Sequence, residues 1–271
     1  MVLAVTVLAV LSLGPWAAER SPAAPVLAGR IAYNCGGYIC VLDLSTDEDT
    51  QFNVKGFNPK FSPDGTKIVF QSSGRKTAGI WVMNSDGTNP TCISTFGGVP
   101  AWSPGGTKIA FHSNGIWIMN SDGSEPQHIT NHGGWAAWSP DGSRIAFSSG
   151  SDLPGDAGIW LMNADGTGAH LALARPGADI DVVWSPGDKV LFAESVDRVS
   201  SYEIFSFDPA TSALTRLTNS PRQDFEPSWS PDGNMIAFAS FRKPAGIYVA
   251  NSDGSAPQLV IAGGRQPSWG P

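Results

Sequence analysis

The sequence predicts an all-β fold, a six-bladed β-propeller with four antiparallel strands in each blade. One short phrase returns at similar intervals along the chain, and each copy is followed by β-branched and aromatic runs separated by turn residues. The first unit lacks its opening strand, whereas the last unit is an opening strand alone. These observations indicate repeated blades that close into a ring.

The repeated phrase is built around one aromatic position. It begins as FSPDGTKIVF at Phe61 and returns as WSPDGSRIAF at Trp138. The shared aromatic position is occupied by Phe61, Trp102, Trp138, Trp184, Trp229 and Trp269. Intervals of 36 to 46 residues are typical of propeller blades and exclude a heptad-based coiled coil.

The sequence of each repeat unit predicts four strands, A to D, and the unit at Trp138 illustrates them. Strand A ends at Trp138, residues 140–142 turn the chain, and strand B covers Arg144 to Phe147. A variable loop leads to strand C, Ile159 to Met162. Asp165-Gly166 then predicts a tight hairpin turn with positive φ angles before strand D.

A second aromatic position recurs in strand C. It is occupied by Trp81, Trp117, Trp160, Phe205 and Tyr248. Aromatic side chains bury large areas, so we expect both sets to pack between successive blades and assign them no ligand role.

The two ends of the chain complement each other. Residues 30–54 contain strands B, C and D without a strand A, and the chain ends in RQPSWGP, a strand A with nothing after it. Joining them completes a sixth blade and removes two exposed sheet edges. We therefore expect the last residues to be structural.

The phrase PSWSPDGNMIAFAS followed by IYVANSDG resembles the repeat of the TolB-like propellers, a periplasmic and secreted group. The resemblance covers about residues 30 to 271 and all six blades. The resemblance implies one of three roles, which are a protein-binding domain, a substrate-gating domain beside a peptidase domain, or a sugar-acid lyase. We expect this chain to lack the N-terminal α/β domain of TolB and the hydrolase domain of the peptidases.

The first 27 residues form a signal-like or anchor segment ahead of a single propeller at 28–271. Val2 to Leu13 is an almost unbroken apolar run, and small residues follow it. We expect a periplasmic or secreted protein that begins, after processing, between Ala18 and Val26. An uncleaved membrane anchor is the alternative.

The cysteines do not decide the redox compartment. The chain has three of them, Cys35, Cys40 and Cys92. A two-residue turn at Gly36-Gly37 places Cys40 opposite Tyr33, so a bridge from Cys40 to Cys35 needs a distorted hairpin. We expect free or merely structural cysteines.

The formal charge of −7 leaves no basic field for phosphates, which excludes nucleic acid and an anionic membrane surface as partners. The sequence also contains no G-x-S-x-G elbow, P-loop or H-E-x-x-H motif. His128 and His132 fall at a strand end and in a loop, where this spacing does not place both on one face. We expect a monomer without a recognisable catalytic motif.

The residues that lead into strand A differ between blades. Three positions before the shared aromatic stand Asn58, Val99, Trp135, Asp181, Glu226 and Gln266. Five positions before it stand Gly56, Gly97, Gly133, Asp179, Asp224 and Gly264. Only blades 5 and 6 carry carboxylates at both positions, and residues two apart in a strand point the same way.

We therefore expect Asp179, Asp181, Asp224 and Glu226 to meet at the channel mouth. Such a cluster would bind Ca²⁺, with Asp181 and Glu226 as metal ligands, or a cationic group of a partner. A merely hydrated acidic rim is the alternative. No other cofactor is expected.

The B–C loops on the same face vary most, and blade 6 contributes Arg242 to them, which we expect to bind ligand. The sequence therefore favours a non-catalytic, extracytoplasmic scaffold that binds a protein, a peptide or a cell-envelope component. A metal-assisted lyase or hydrolase acting at the channel mouth is the alternative, so the question of enzymatic activity stays open.

Overall fold

The computed structural model describes residues 27–74, 77–149, 157–175, 180–196 and 201–271. Within these residues, 24 strands form six four-stranded antiparallel sheets, which confirms the predicted six-bladed all-β propeller. No helix in this part of the chain could cross a membrane. Apart from Leu27, the signal-like segment and its expected cleavage zone lie outside the described residues.

The first three blades follow one another along the first half of the chain. Blade 1 contains β1 (Arg30–Cys35), β2 (Tyr38–Asp43) and β3 (Glu48–Lys55). Blade 2 contains β4 (Phe57–Phe61), β5 (Lys67–Ser72), β6 (Gly79–Asn84) and β7 (Thr91–Ser94). Blade 3 contains β8 (Gly98–Trp102), β9 (Lys108–His112), β10 (Ile116–Asn120) and β11 (Gln127–His128).

The remaining blades repeat the arrangement. Blade 4 contains β12 (Gly134–Trp138), β13 (Arg144–Ser149), β14 (Gly158–Asn163) and β15 (His170–Ala174). Blade 5 contains β16 (Ile180–Trp184), β17 (Val190–Ser195), β18 (Tyr202–Asp208) and β19 (Ala213–Arg216). Blade 6 contains β20 (Asp224–Trp229), β21 (Met235–Ser240), β22 (Gly246–Asn251) and β23 (Gln258–Ala262), and the final strand is β24 (Arg265–Gly270).

The final strand closes the ring as predicted. β24 pairs with β1 as the inner strand of blade 1, with Trp269 opposite Ile31. The Trp269 backbone N–H donates to Ser228 Oγ of blade 6 at 3.0 Å, and its indole Nε1 donates to the Ala28 carbonyl at 2.9 Å. The last strand is thus bound both within its own blade and to the blade before it.

The hydrophobic core lies between blades. Its largest fully buried side chains include a phenylalanine from strand B of five blades, Phe70, Phe111, Phe147, Phe192 and Phe238. In blade 4, the Phe147 ring stacks on Trp160 of strand C with their centroids 6.2 Å apart. The strand C aromatics therefore take part in core packing, as the sequence predicted.

The Asp-Gly turns between strands C and D differ from the prediction in one respect. Gly166 has a φ of 86°, but Asp165 does not have positive φ. Instead, Asp165 Oδ1 accepts hydrogen bonds from the backbone N–H and the hydroxyl of Thr167. The carboxylate stabilises the turn from the side, so only the glycine needs the left-handed region.

The expectation of free or merely structural cysteines is wrong for Cys35 and Cys40, which form a disulfide. Cys40 does lie opposite Tyr33, and Cys35 opposite Tyr38, as the hairpin predicted. Tyr38 and Cys40 are two residues apart on β2, so Cys35 and Cys40 are diagonal neighbours on one face. Their Cα atoms are 6.0 Å apart, which suits a bridge. Cys92 is free and exposed.

The propeller has two different ends. The loop face carries the B–C loops and the D–A connections, such as residues 241–245 and 263–264 of blade 6. The turn face carries the A–B and C–D turns, such as residues 230–234 and 252–257. The innermost strands run from the loop face to the turn face and enclose a central channel.

Candidate functional site

The central channel has a volume of about 490 Å³ and is lined by the innermost strands of all six blades. One residue from each blade stands at its mouth on the loop face. These mouth residues are Asn58, Val99, Trp135, Asp181, Glu226 and Gln266. They are the residues that the sequence comparison placed three positions before the shared aromatic.

All six mouth residues adopt a conformation that is uncommon for residues other than glycine. Their φ angles lie between 47° and 60°. At each of them the pairing register with strand B shifts, which marks a β-bulge. A bulge interrupts the regular alternation of side chains, so the residue five positions before the aromatic no longer shares a face with the mouth residue.

The polar mouth residues are joined from blade to blade by hydrogen bonds. Asp181 Oδ2 accepts from the Glu226 backbone N–H at 3.2 Å, and Glu226 Oε2 accepts from the Gln266 N–H at 2.7 Å. Gln266 Oε1 accepts in turn from the Asn58 N–H at 3.0 Å. These four of the six mouth residues therefore form a polar arc, and Val99 and Trp135 occupy the rest of the mouth.

Two carboxylates and two cations share the polar arc, but they are paired unequally. Glu226 forms a salt bridge with Arg265, with Oε1 and Nη2 2.9 Å apart. Lys60 lines the channel close enough to interact electrostatically with both Asp181 and Glu226. Within the described residues, Asp181 forms no salt bridge, so its carboxyl lacks a direct counter-ion.

These surroundings shift the titration of all three channel groups. Burial raises the pKa of Asp181 to about 7, and the neighbouring Glu226 adds to the increase. Burial also raises the pKa of Glu226, although Arg265 opposes it. Burial lowers the pKa of Lys60, against the attraction of the two acids. Near neutral pH the mouth can therefore gain or lose a proton at Asp181.

Asp224 does not join Glu226 at the mouth, contrary to the expectation from strand alternation. It is fully buried, where Ser240 Oγ donates to its Oδ1 at 2.6 Å. Arg242 Nη2 contacts its Oδ2 at 2.6 Å, and the Arg242 guanidinium also lies over the rings of Phe238 and Tyr248. The bulge at Glu226 separates the two carboxylates, and Arg242 is occupied within blade 6. Asp179 lies outside the described residues.

The loop face also carries the exposed large hydrophobic side chains of the described chain. These are Phe57, Phe96, Val196 and Phe241, each 37% to 43% exposed. Phe57 begins strand A of blade 2, Phe96 lies in a D–A connection, and Val196 and Phe241 follow strand B of blades 5 and 6. All four positions are on the same end of the propeller, around the channel mouth.

A family model described as the TolB beta propeller domain matches residues 137–271. The chain is a TolB-like propeller. It is 29% identical over 192 residues to a Protein TolB homolog from Chlorobium chlorochromatii (strain CaD3). That alignment covers 70% of this chain but only about a third, 34%, of the relative.

Solved structures show the same fold in other settings. The crystal structure of TolB from Acinetobacter baumannii superposes with a TM-score of 0.75 at 22% identity, over 90% of this chain and 67% of that one. An oligogalacturonate lyase in complex with manganese superposes less well, with a TM-score of 0.56 at 20% identity, over 83% of this chain and 70% of that one. At such identities the likeness shows the fold alone.

The TolB-like propeller gives no support to a metal centre in its described part. There, no three His, Cys, Asp or Glu side chains lie close enough together to hold a metal ion. Asp181 and Glu226 are two carboxylates with Lys60 and Arg265 beside them, whereas Ca²⁺ takes about six to eight oxygen ligands. Asp179, the fourth acid of the expected cluster, lies outside the described residues, and the Ca²⁺ site at Asp181 and Glu226 stays a prediction.

Sequence comparison overlooked Lys60, which stands one position before the shared aromatic. The other blades carry small or apolar residues there, namely Ala101, Ala137, Val183, Ser228 and Ser268. Comparing the position one before the aromatic across the six blades of the TolB-like propeller would have revealed that only blade 2 carries a cationic residue there. The position matters because its side chain lines the channel beside Asp181 and Glu226.

Proposed function

We propose that this TolB-like propeller is a non-catalytic, extracytoplasmic binding scaffold that engages a protein or peptide partner on its loop face. A basic or hydrogen-bonding group of the partner would enter the channel mouth and contact Asp181. The observation that carries the proposal is the coincidence, at one end of the propeller, of exposed hydrophobic side chains and a carboxyl, that of Asp181, which forms no salt bridge with the described residues.

The hydrophobic rim and the polar arc are physically connected in blade 6. Arg265 lies over the rings of Phe225 and Phe241, with 4.7 and 5.7 Å to their centroids. The same guanidinium holds Glu226. A partner that covers Phe241 would therefore also shield the salt bridge and the adjoining acids from water, which strengthens their electrostatic interactions.

The polar arc can discriminate between partners. A cationic group that reaches Asp181 would gain a charge-assisted hydrogen bond and would favour the ionised carboxylate. A partner anion would meet Asp181 and Glu226 before it reached Lys60. Apolar contact on the rim supplies affinity, whereas the charges at the mouth supply orientation and selectivity.

An extracytoplasmic location is part of the proposal. The Cys35–Cys40 disulfide suits an oxidising compartment such as the periplasm or the cell exterior. The apolar run at Val2 to Leu13 suits an export signal. Protein sequencing of the exported form tests this, and an intact Met1 recovered from the cytosol would oppose it.

Site-specific photo-crosslinking tests the binding face. A photoreactive phenylalanine analogue at Phe57 or Phe241 should yield a discrete adduct in cells, because both side chains are exposed on the loop face. The same analogue at Thr215, exposed on the outer strand β19, is the matched control. Adducts of equal yield at Thr215, or none at the two phenylalanines, would contradict the proposal.

Substitution at the mouth tests the role of Asp181 in the captured complex. Asp181→Asn should weaken partner binding by tenfold or more, since losing one member of a desolvated charge pair costs about 2 to 5 kcal/mol. Asp47→Asn is the control, because Asp47 also has positive φ but is exposed on the turn face. Equal affinities for the two variants would remove Asp181 from the binding site.

A further inference from the structure

On the turn face, the first residue of strand B can fill the gap to the next blade. The Arg30 guanidinium lies over the Phe61 ring of blade 2, 5.0 Å from its centroid. The Arg144 guanidinium lies in the same way over the Trp184 ring of blade 5 at 4.9 Å. Both residues open strand B at the corresponding register, Arg30 opposite Asp43 and Arg144 opposite Asn163.

Arg30 also shows which polar groups surround such a guanidinium. Its Nε donates to the Pro271 carbonyl at 3.1 Å, and one Nη donates to the Gly65 carbonyl at 2.7 Å. The other Nη donates to Ser85 Oγ at 3.3 Å. One aromatic face and three oxygen acceptors thus form a complete guanidinium site between blades 1 and 2.

Between blades 2 and 3 the same position is not filled. Lys67 stands there, opposite Asn84, and its exposed side chain forms no hydrogen bond or salt bridge with the described residues. A cavity of about 940 Å³ lies at this place. Lys67 is on its edge, and no arginine among the described residues lines it.

The walls of this cavity reproduce the Arg30 site group by group. Trp102 corresponds to Phe61, Pro63 to Pro271, Gly106 to Gly65 and Ser121 to Ser85, and all four line the cavity. The Trp102 indole is held in place because its Nε1 donates to the Lys60 carbonyl at 3.1 Å. The Ser121 hydroxyl takes part in no hydrogen bond with the described residues.

The electrostatic surroundings of the cavity favour a cation. Asp64 and Asp122 lie on its wall. Hydrogen bonds from Ser62 and Thr66 hold the pKa of Asp64 below its ordinary value, and those from Ser124 do the same for Asp122. Both carboxylates are therefore ionised at neutral pH. Their two negative charges exceed the single positive charge of Lys67.

We propose that the cavity between blades 2 and 3 binds a guanidinium group, the side chain of an arginine in a protein or peptide partner. The guanidinium would lie on Trp102 and donate to Ser121 Oγ and to the carbonyls of Pro63 and Gly106. A planar guanidinium matches one ring and several fixed acceptors, whereas an ammonium is a compact, strongly hydrated charge. The site is on the turn face and is independent of the binding proposed for the loop face.

The test is a nuclear magnetic resonance titration of the whole protein, followed at the Trp102 indole N–H. The probe is N-acetyl-arginine amide, which represents an arginine within a chain, and the comparisons are N-acetyl-lysine amide and free arginine. Trp102→Phe identifies the resonance while keeping an aromatic ring, as Phe61 does in blade 2. The arginine amide should give a saturable shift and bind about two- to fivefold more tightly than the lysine amide.

Variants of Lys67 separate the alternatives. Lys67→Arg should abolish the titration, because the chain then supplies the guanidinium itself, as Arg30 and Arg144 do. Lys67→Ala should bind the arginine amide at least as tightly as the wild type, since it removes a repelling charge. A titration unchanged in Lys67→Arg, equal affinity for the lysine amide, or no saturable shift would each overturn the proposal. Tighter binding of free arginine than of the amide would overturn the assignment to a polypeptide side chain.

Discussion

The Asp181 carboxylate accepts a hydrogen bond from the Glu226 backbone N–H across the boundary between blades 5 and 6, at 3.2 Å. Glu226 makes the same kind of contact with Gln266, and Gln266 with Asn58. Each of these three side chains thus holds the bulge of the next blade. Because the acids serve as links between blades, their protonation affects both stability and binding.

The raised pKa of Asp181 predicts a loss of stability as pH rises. Its pKa is 3.8 as a reference and about 7 in the fold, so the folded state binds the proton more tightly. The contribution of protonated Asp181 to the free energy of unfolding is fully present below the pKa of the unfolded state, and it is lost as pH rises through about 7. Asp181→Asn should flatten the decline in the free energy of unfolding between pH 4 and 8, by up to about 4 kcal/mol.

The measurement is chemical denaturation of both proteins at several pH values. Asp47→Asn on the turn face should retain the wild-type profile. Parallel profiles for Asp181→Asn and the wild type would show that Asp181 titrates as a solvated group. Because the pKa of Glu226 is raised as well, part of the decline in the free energy of unfolding should remain in Asp181→Asn.

The Asp224–Arg242 pair should be important for stability. Asp224 is fully buried, so Arg242→Met should lower the free energy of unfolding by about 3 to 5 kcal/mol, because it leaves an unpaired buried charge. Adding Asp224→Asn to Arg242→Met should restore part of the loss. A double-mutant cycle checks this, and additive losses would contradict the pairing.

Ring closure should depend on the last strand. Trp269→Ala, or removal of residues 266–271, should destabilise the whole propeller, the substitution by about 3 to 5 kcal/mol. The reason is that β24 supplies the inner strand of blade 1 and contacts blade 6 through Ser228. Thermal melting measures the effect, and Thr215→Ala on the exposed strand β19 should melt like the wild type.

Thiol labelling should distinguish the cysteines. Alkylation of the unfolded protein without reductant should modify Cys92 alone, and alkylation after reduction should modify all three cysteines. Intact-mass spectrometry counts the labels. Three labels without reductant would show that Cys35 and Cys40 are not bridged.

Much of the fold could be predicted from the sequence because its signals are local and repeated. The spacing of the shared aromatic from Phe61 to Trp269 determined the number of blades, and the complementary chain ends determined how the ring closes. The Gly36-Gly37 turn also determined that Cys40 lies opposite Tyr33. The spacing of the repeat, the residues of the turns and the missing strand at each chain end can all be recognised in short segments. A single sequence therefore contains all the information needed to predict them.

The candidate site was predicted only in part. The comparison of blades correctly placed Asp181 and Glu226 at the mouth, but it also placed Asp224 there and omitted Lys60. The bulge at Glu226 turns Asp224 away toward Arg242, and strand alternation alone does not reveal a bulge. Lys60 lies about 120 residues before Asp181 in the chain, and only ring closure brings them together.

The sequence by itself therefore determined the repeat, the strand order and the identity of most core positions. Only the tertiary structure decided which charges meet, which cysteines are bridged and whether the gap between blades 2 and 3 is filled. The physical reason is that side-chain partners across a ring depend on bulges, on rotamers and on the neighbouring blade. A Lys at position 67 and an Arg at position 144 look alike in sequence, yet only the arginine lies on its aromatic neighbour.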